Sequence, residues 1–208
     1  MSRCVIIGGA NIKDYDYIKS QLNGDDFNIF CDSGLKHLRS LEITAHLIVG
    51  DFDSHTNPQL SIETIVLPCE KDDTDTVFAV KEGIKRGFDE FLLIGVVGER
   101  FDHTFGNISI LLYLDTQGKR GSIIDDYSHI TVVSQEPVLV EDSYEFFSLL
   151  NISGVAKGVT VENAKYPLKD AEITCDYQYG ISNEVIKGKS SRIEIKEGKL
   201  LLVKIRKI

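Results

Sequence analysis

No stretch of this chain approaches the roughly 20 consecutive apolar residues that a membrane-spanning helix needs. No basic tract relieves its acidity either: 23 lysines and arginines face 32 aspartates and glutamates, a formal charge of −9. The first absence argues against a membrane partner. The second argues against sequence-independent nucleic-acid binding, which depends on lysine and arginine neutralising phosphates. The four cysteines, Cys4, Cys31, Cys69 and Cys175, include no Cys-x-x-Cys pair. Cys4 and Cys31 fall in predicted strands, which suits buried thiols in a reducing compartment. Tryptophan is missing altogether. Neither Gly-x-Gly-x-x-Gly nor Gly-x-x-x-x-Gly-Lys-Ser/Thr occurs, so a Rossmann fingerprint and a Walker loop are both excluded. The chain runs from Met1 straight into a strand with no room for a signal peptide, and the expected location is cytoplasmic.

What is present is ordinary for a folded protein, with 42% hydrophobic and 26% charged residues over 208 positions. Apolar runs at Cys4–Ile7, Phe27–Cys31, Leu47–Val49, Thr64–Leu67, Phe91–Val97 and Ser122–Ile124 read as strands. Segments of helical period alternate with them: Tyr15, Ile18 and Leu22; Leu35, Leu38 and Leu41; Val77 to Ile84; and about His103 to Leu114. That alternation predicts a doubly wound, mostly parallel α/β sheet over residues 1–125. After about Asp125 only short strand-like runs remain, including Glu184–Ile186 and a hairpin expected to turn near Gly198. Residues 126–208 therefore read as a second domain, an antiparallel β-sandwich or barrel. No long Pro/Gly/Ser linker and no internal repeat separates the two.

In an open α/β sheet, ligands bind where strands end at their carboxyl side. Five polar clusters fall there: Gly8-Gly9, Asp32-Ser33-Gly34, Asp51-x-Asp53, Asp72 to Asp75, and Arg100 to His103. Gly8, Gly9 and Gly34 permit close approach of a ligand, or simply turn the chain. Asp51 and Asp53 project to one side of an extended segment and suit a hard cation such as Mg²⁺, or form a surface turn. Asp72, Asp73 and Asp75 crowd a helix start, where Thr74 or Asp75 caps and the others either bind metal or face solvent. Arg100 suits bidentate contact with phosphate, or pairs with Asp102. His103 caps a helix, holds phosphate or titrates near neutrality.

Taken together, Gly50-Asp51-Phe52-Asp53-Ser54, Lys71-Asp72-Asp73-Thr74-Asp75, Gly95 to Thr104, Gly158-Val159-Thr160, Lys165-Tyr166-Pro167-Leu168 and Gly180-Ile181-Ser182-Asn183-Glu184 resemble the thiamine pyrophosphokinase family nearly end to end. The resemblance implies transfer of the pyrophosphoryl group of ATP to the hydroxyl of thiamine, with release of AMP. It implies Asp51, Asp53 and Asp75 as Mg²⁺ ligands, with Asp75 and Arg100 catalytic. Gly8, Gly9, Asp32, Gly34, Arg100, Asp102, His103 and Thr104 are implied in nucleotide binding, with Asp72 and Thr74 beside them at the substrate. Ser182 and Asn183 are implied in the thiamine pocket, and the assembly as a homodimer with active sites at the subunit interface. Two departures stand out. Where the family usually reads Ala-Asp-Gly-Gly, this chain has Cys31-Asp32-Ser33-Gly34, and without tryptophan any ring stacking on thiamine falls to another side chain.

Other readings keep part of the pattern. A pyrophosphokinase acting on another alcohol, such as a hydroxymethylpterin, retains the acidic rim without needing the Ser182-Asn183 loop. A non-catalytic nucleotide-binding module has no turnover to lose when Asp51 or Asp53 is neutralised. A phosphatase with an aspartyl nucleophile usually carries Asp-x-Asp after its first strand, where this chain has Gly8-Gly9.

Overall fold

Strands that are apolar on both faces need cover on both faces. This holds for β1 (Cys4–Ile7), β2 (Phe27–Cys31), β3 (Leu47–Gly50) and β5 (Glu90–Ile94), whose residues are almost all buried. The computed structural model describes residues 3–52, 61–70, 72–98, 100–152 and 154–208. Its contacts divide the chain into two units, Met1–Asp126 and Tyr127–Ile208.

In the first unit, β4 (Glu63–Val66) and β6 (Arg120–Ile124) complete a parallel array in the order β4-β3-β2-β1-β5-β6. Val5, Ile7, Phe30, Leu92 and Ile94 form the core on one face. They pack with Ile18 of α1 (Tyr15–Ser20) and Leu41 of α2 (Leu38–Leu41). Helix α3 (Asp75–Lys85) packs on β1, β2 and β3, and α4 (Phe101–Thr116) packs on β6. The chain steps outward from β1 to β4, then returns to place β5 on the other side of β1. That reversal opens a crevice between the carboxyl ends of β1 and β5, the usual ligand position in such sheets.

Two local expectations are corrected here. The Leu35–Leu41 segment is not one helix but a 3₁₀ turn, Asp32–His37, followed by α2. Helix α4 starts at Phe101 rather than near His103.

The second unit holds β7 (Ser128–Val133), β8 (Val138–Glu141), β9 (Tyr144–Leu150), β10 (Val155–Glu162), β11 (Leu168–Thr174), β12 (Ser190–Glu194) and β13 (Leu200–Arg206). Antiparallel pairing gives one group β7-β13-β9 and another β11-β10-β12-β8. Both contribute to one interior that includes Phe147, Val159, Ile173, Ile193, Leu200 and Leu202.

The expected hairpin about Gly198 does not form. β12 pairs with β8 and β10, whereas β13 pairs with β7 and β9. The intervening loop is tied to β10 by Lys157 N donating to Glu197 O at 2.9 Å and Lys196 N donating to Lys157 O at 3.0 Å. Residues 184–186 are likewise no strand, since the segment makes only an isolated bridge between Val185 and Ala164.

Candidate active site

Three carboxylates from different parts of the sequence meet at the strand ends. Asp32 opens the 3₁₀ turn after β2, Asp51 follows β3, and Asp75 is the first residue of α3. One carboxylate oxygen from each lies within 4.8 Å of the others. Asp32 is buried, at 7% exposure, and the other two are half-buried.

Local chemistry explains the convergence. Gly50 ends β3, and a Cβ there would stand 2.7 Å from the Asp32 Cβ, so only glycine lets the two strand ends approach this closely. Phe52 then takes a left-handed φ of 55°, which turns the chain directly after Asp51. The hydroxyl of Thr74 accepts from Val77 N at 3.3 Å and caps α3, fixing Asp75 in its first turn. All three donors are oxygens, and three like charges this close repel unless a cation lies among them. The donor set therefore fits a hard divalent ion such as Mg²⁺.

Asp75 also lines a cavity of about 290 Å³ in the crevice between β1 and β5. Gly8, Gly9 and Ala10 form one wall; Gly95, Val96 and Gly98 form another; Arg100, His103 and Thr104 stand at the mouth of α4. Gly8 and Gly95 approach so closely that a Cβ on either would sit 2.6 Å from the carbonyl oxygen of the other. The β5–α4 loop is held from the helix. Asn107 Nδ2 donates to Val96 O at 2.8 Å, and Gly98 N donates to Thr104 Oγ1 at 3.0 Å.

Several residues expected at the site take more specific places. Asp32 joins the carboxylate cluster instead of standing only at the nucleotide. Arg100 forks onto Asp102, with Nε at 3.1 Å from Oδ1 and Nη2 at 2.6 Å from Oδ2. That pairing holds the Asp102 carboxyl well below the usual carboxylate range. It engages two of the five guanidinium N–H donors. Gly34 packs against the Ile7 carbonyl, and Asp102 and Asp72 do not line the cavity. Asp73 pairs with Lys81 at 2.6 Å. Asp53 lies outside the described residues. Cys31 and Ser33, which flank Asp32 in the Cys31-Asp32-Ser33-Gly34 segment, line the cavity, as do Thr76 and Asn107, which had not been singled out. Of those last two, Asn107 alone carried a signal, as an amide on the buried stripe of α4 beside Ile110, Leu111 and Leu114.

In the second unit, Asn183 is buried and clasps the Tyr166 backbone, donating to its carbonyl at 2.8 Å and accepting from its N–H at 3.0 Å. Ser182 has a left-handed φ of 56°, and its N–H donates to Ser148 Oγ at 3.0 Å. Its side chain is exposed beside Ile181. A non-glycine residue held in this conformation is commonly found at ligand-binding loops.

Residues 18–122 match the family described as thiamin pyrophosphokinase, catalytic domain, and residues 129–200 match the thiamin pyrophosphokinase vitamin B1 binding domain. The chain belongs to the thiamin pyrophosphokinase family. It is 30% identical over 165 residues to a thiamine pyrophosphokinase of Bacillus subtilis, covering 76% of each chain. In three dimensions it resembles the crystal structure of thiamine pyrophosphokinase from Bacillus subtilis, with a TM-score of 0.88 at 23% identity over the whole of both chains. It also resembles yeast thiamin pyrophosphokinase, with a TM-score of 0.73 at 15% identity over 98% of this chain and 86% of that one. At these identities the likeness establishes the fold. The catalytic-domain match of the thiamin pyrophosphokinase family spans Asp32, Asp51, Asp75 and Arg100, and the vitamin B1 match spans Ser182 and Asn183.

Proposed function

We propose that this chain transfers the pyrophosphoryl group of ATP to the hydroxyl of thiamine, giving thiamine diphosphate and AMP, with Mg²⁺ held by Asp32, Asp51 and Asp75. The observation that carries this reading is the meeting of those three carboxylates beside the β1–β5 cavity, in a member of the thiamin pyrophosphokinase family. When bound, Mg²⁺ supplies neutralising charge to phosphate oxygens. The glycine walls let a triphosphate lie against backbone. Arg100 and His103 line the same cavity, which supports a role for both at the phosphates, and the donors of Arg100 not engaged by Asp102 suit the charge that develops during transfer.

The thiamine hydroxyl oxygen attacks the β-phosphorus and gives up its proton to solvent, the bond between the β-phosphorus and the bridging oxygen of AMP breaks, and AMP leaves with the electron pair of that bond. Such a transfer depends on positioning and charge neutralisation more than on a covalent contribution from protein. We assign no dedicated base, because a carboxylate such as Asp75 that serves a metal has little basicity left. The exposed Ser182, beside Ile181, belongs to the loop that takes thiamine, while Asn183 holds that loop in shape. The assembly in this reading is a homodimer in the cytoplasm, with active sites at the subunit interface.

Product analysis tests the proposal. Protein, Mg²⁺, ATP and a panel of alcohols that includes thiamine and a hydroxymethylpterin should give thiamine diphosphate and AMP in equal amounts, with thiamine the preferred acceptor. ADP as the nucleotide product, or turnover only with the pterin, would refute it.

A further inference from the structure

His37 ends the 3₁₀ turn that Asp32 begins, and it is 1% exposed. Its Nε2 lies 2.9 Å from the carbonyl oxygen of Ala10, and its Nδ1 lies 2.7 Å from the Tyr15 hydroxyl. A carbonyl only accepts, so Nε2 must carry the proton. In the neutral ring Nδ1 then accepts, and the Tyr15 O–H donates to it. Burial favours that neutral ring by lowering the His37 pKa. Both ring nitrogens are therefore satisfied in a single tautomer.

The partner of this imidazole is part of the cavity wall. Ala10 lines the cavity with Gly8 and Gly9. Its N–H donates to Gly95 O at 2.7 Å, while its carbonyl accepts from His37. The residue is thus pinned from the β5 side and from the 3₁₀ turn. Its peptide link to Asn11 is trans, which sets the Asn11 N–H antiparallel to the Ala10 carbonyl, so the imidazole orients that N–H as well. The same short turn places Asp32 in the carboxylate cluster at one end and His37 behind the glycine wall at the other.

We propose that His37, keyed by Tyr15, is a positioning residue for the nucleotide: it holds the Gly8-Gly9-Ala10 wall in register with the carboxylate cluster. This rests on the reading of the cavity as the ATP site. A merely space-filling histidine would contribute to stability alone, whereas a positioning histidine also sets the affinity for nucleotide in variants that fold.

The test measures binding of Mg²⁺ with α,β-methylene-ATP, whose α–β linkage cannot be cleaved, to the full chain by calorimetry, alongside steady-state kinetics and thermal melting. His37→Leu removes both hydrogen bonds and is expected to weaken nucleotide binding and raise the KM for ATP about tenfold, the size of one buried hydrogen bond. The kcat at saturating ATP and the KM for thiamine should stay within about twofold on the same estimate. His37→Gln, which can donate to Ala10 and accept from Tyr15, should recover most of the affinity, and Tyr15→Phe should fall between. Should His37→Leu fail to fold, weakened nucleotide binding by a folded Tyr15→Phe still supports the proposal, and wild-type binding by that variant overturns it. Wild-type affinity in a folded His37→Leu, or a Gln variant no better than Leu, also overturns it. A wild-type protein that binds no nucleotide refutes the ATP-site reading itself, a different result from variants that match a nucleotide-binding wild type.

Discussion

Asp32 concentrates the electrostatic problem of the site in one side chain. A carboxylate at 7% exposure needs compensating charge, and two more carboxylates within 4.8 Å add repulsion. Asp32→Asn keeps the shape and removes one charge. Mg²⁺-dependent turnover should fall on the order of 10²–10³-fold, with half-saturation at higher Mg²⁺, while the metal-free protein melts no lower than wild type. A Mg²⁺ titration of activity and a melting curve check both halves. Asp51 and Asp75 were legible as metal candidates because each stands in a local acidic motif. Asp32 was legible as a polar residue at a strand end and, through the family resemblance, as part of the nucleotide site. It was not legible as a member of the carboxylate cluster, because its neighbours come from β3 and α3 and local spacing does not encode that meeting. The cysteines divide at the same scale. Burial pushes the Cys4 thiol up to about 12 and raises that of Cys31 as well, whereas Cys69 and Cys175 are exposed. A raised thiol pKa leaves less thiolate at a given pH. A thiol-disulfide reagent at mild alkaline pH should therefore titrate Cys69 and Cys175 quickly, and Cys4 and Cys31 only after unfolding.

Elements place the carboxylates more than the carboxylates place themselves. The Thr74 cap fixes the start of α3, so Thr74→Ala should lower stability by about 1 kcal/mol and lower turnover by more than that loss explains, because Asp75 moves with the helix end. Denaturant melts against kinetics measure the two effects separately. Gly50→Ala sets a methyl group 2.7 Å from the Asp32 Cβ; it should fold and yet require several-fold more Mg²⁺, an effect readable from the same titration. The parallel strands were legible because strands covered on both faces are continuous apolar runs. The partition of β12 and β13 into different strand groups was not. Two strands flanking Gly198 match a hairpin in local pattern, and only the hold of β10 on the loop and the shared interior of Ile193, Leu200 and Leu202 separate them. The 3₁₀ turn at Asp32–His37 was also hidden, because its Leu35 keeps a helical period with Leu38 and Leu41 of α2 across the change.

For the whole molecule, the change of texture near Asp125 marked two structural regimes, and the chain divides at Asp126 and Tyr127. Their proposed division of labour, nucleotide with the first and thiamine with the second, predicts that Ser182→Ala raises the KM for thiamine several-fold, by an amount typical of one lost polar contact, and leaves the KM for ATP unchanged. Equal effects on both would contradict that division. Nothing in composition separates a pyrophosphoryl transfer from a single phosphoryl transfer, since both need metal, arginine and a phosphate cradle. Isotope position separates them directly. With ATP labelled at the β-phosphorus, pyrophosphoryl transfer carries the label into thiamine diphosphate and leaves unlabelled AMP; label retained in ADP, with only the γ-phosphate delivered to thiamine, would contradict the proposed reaction.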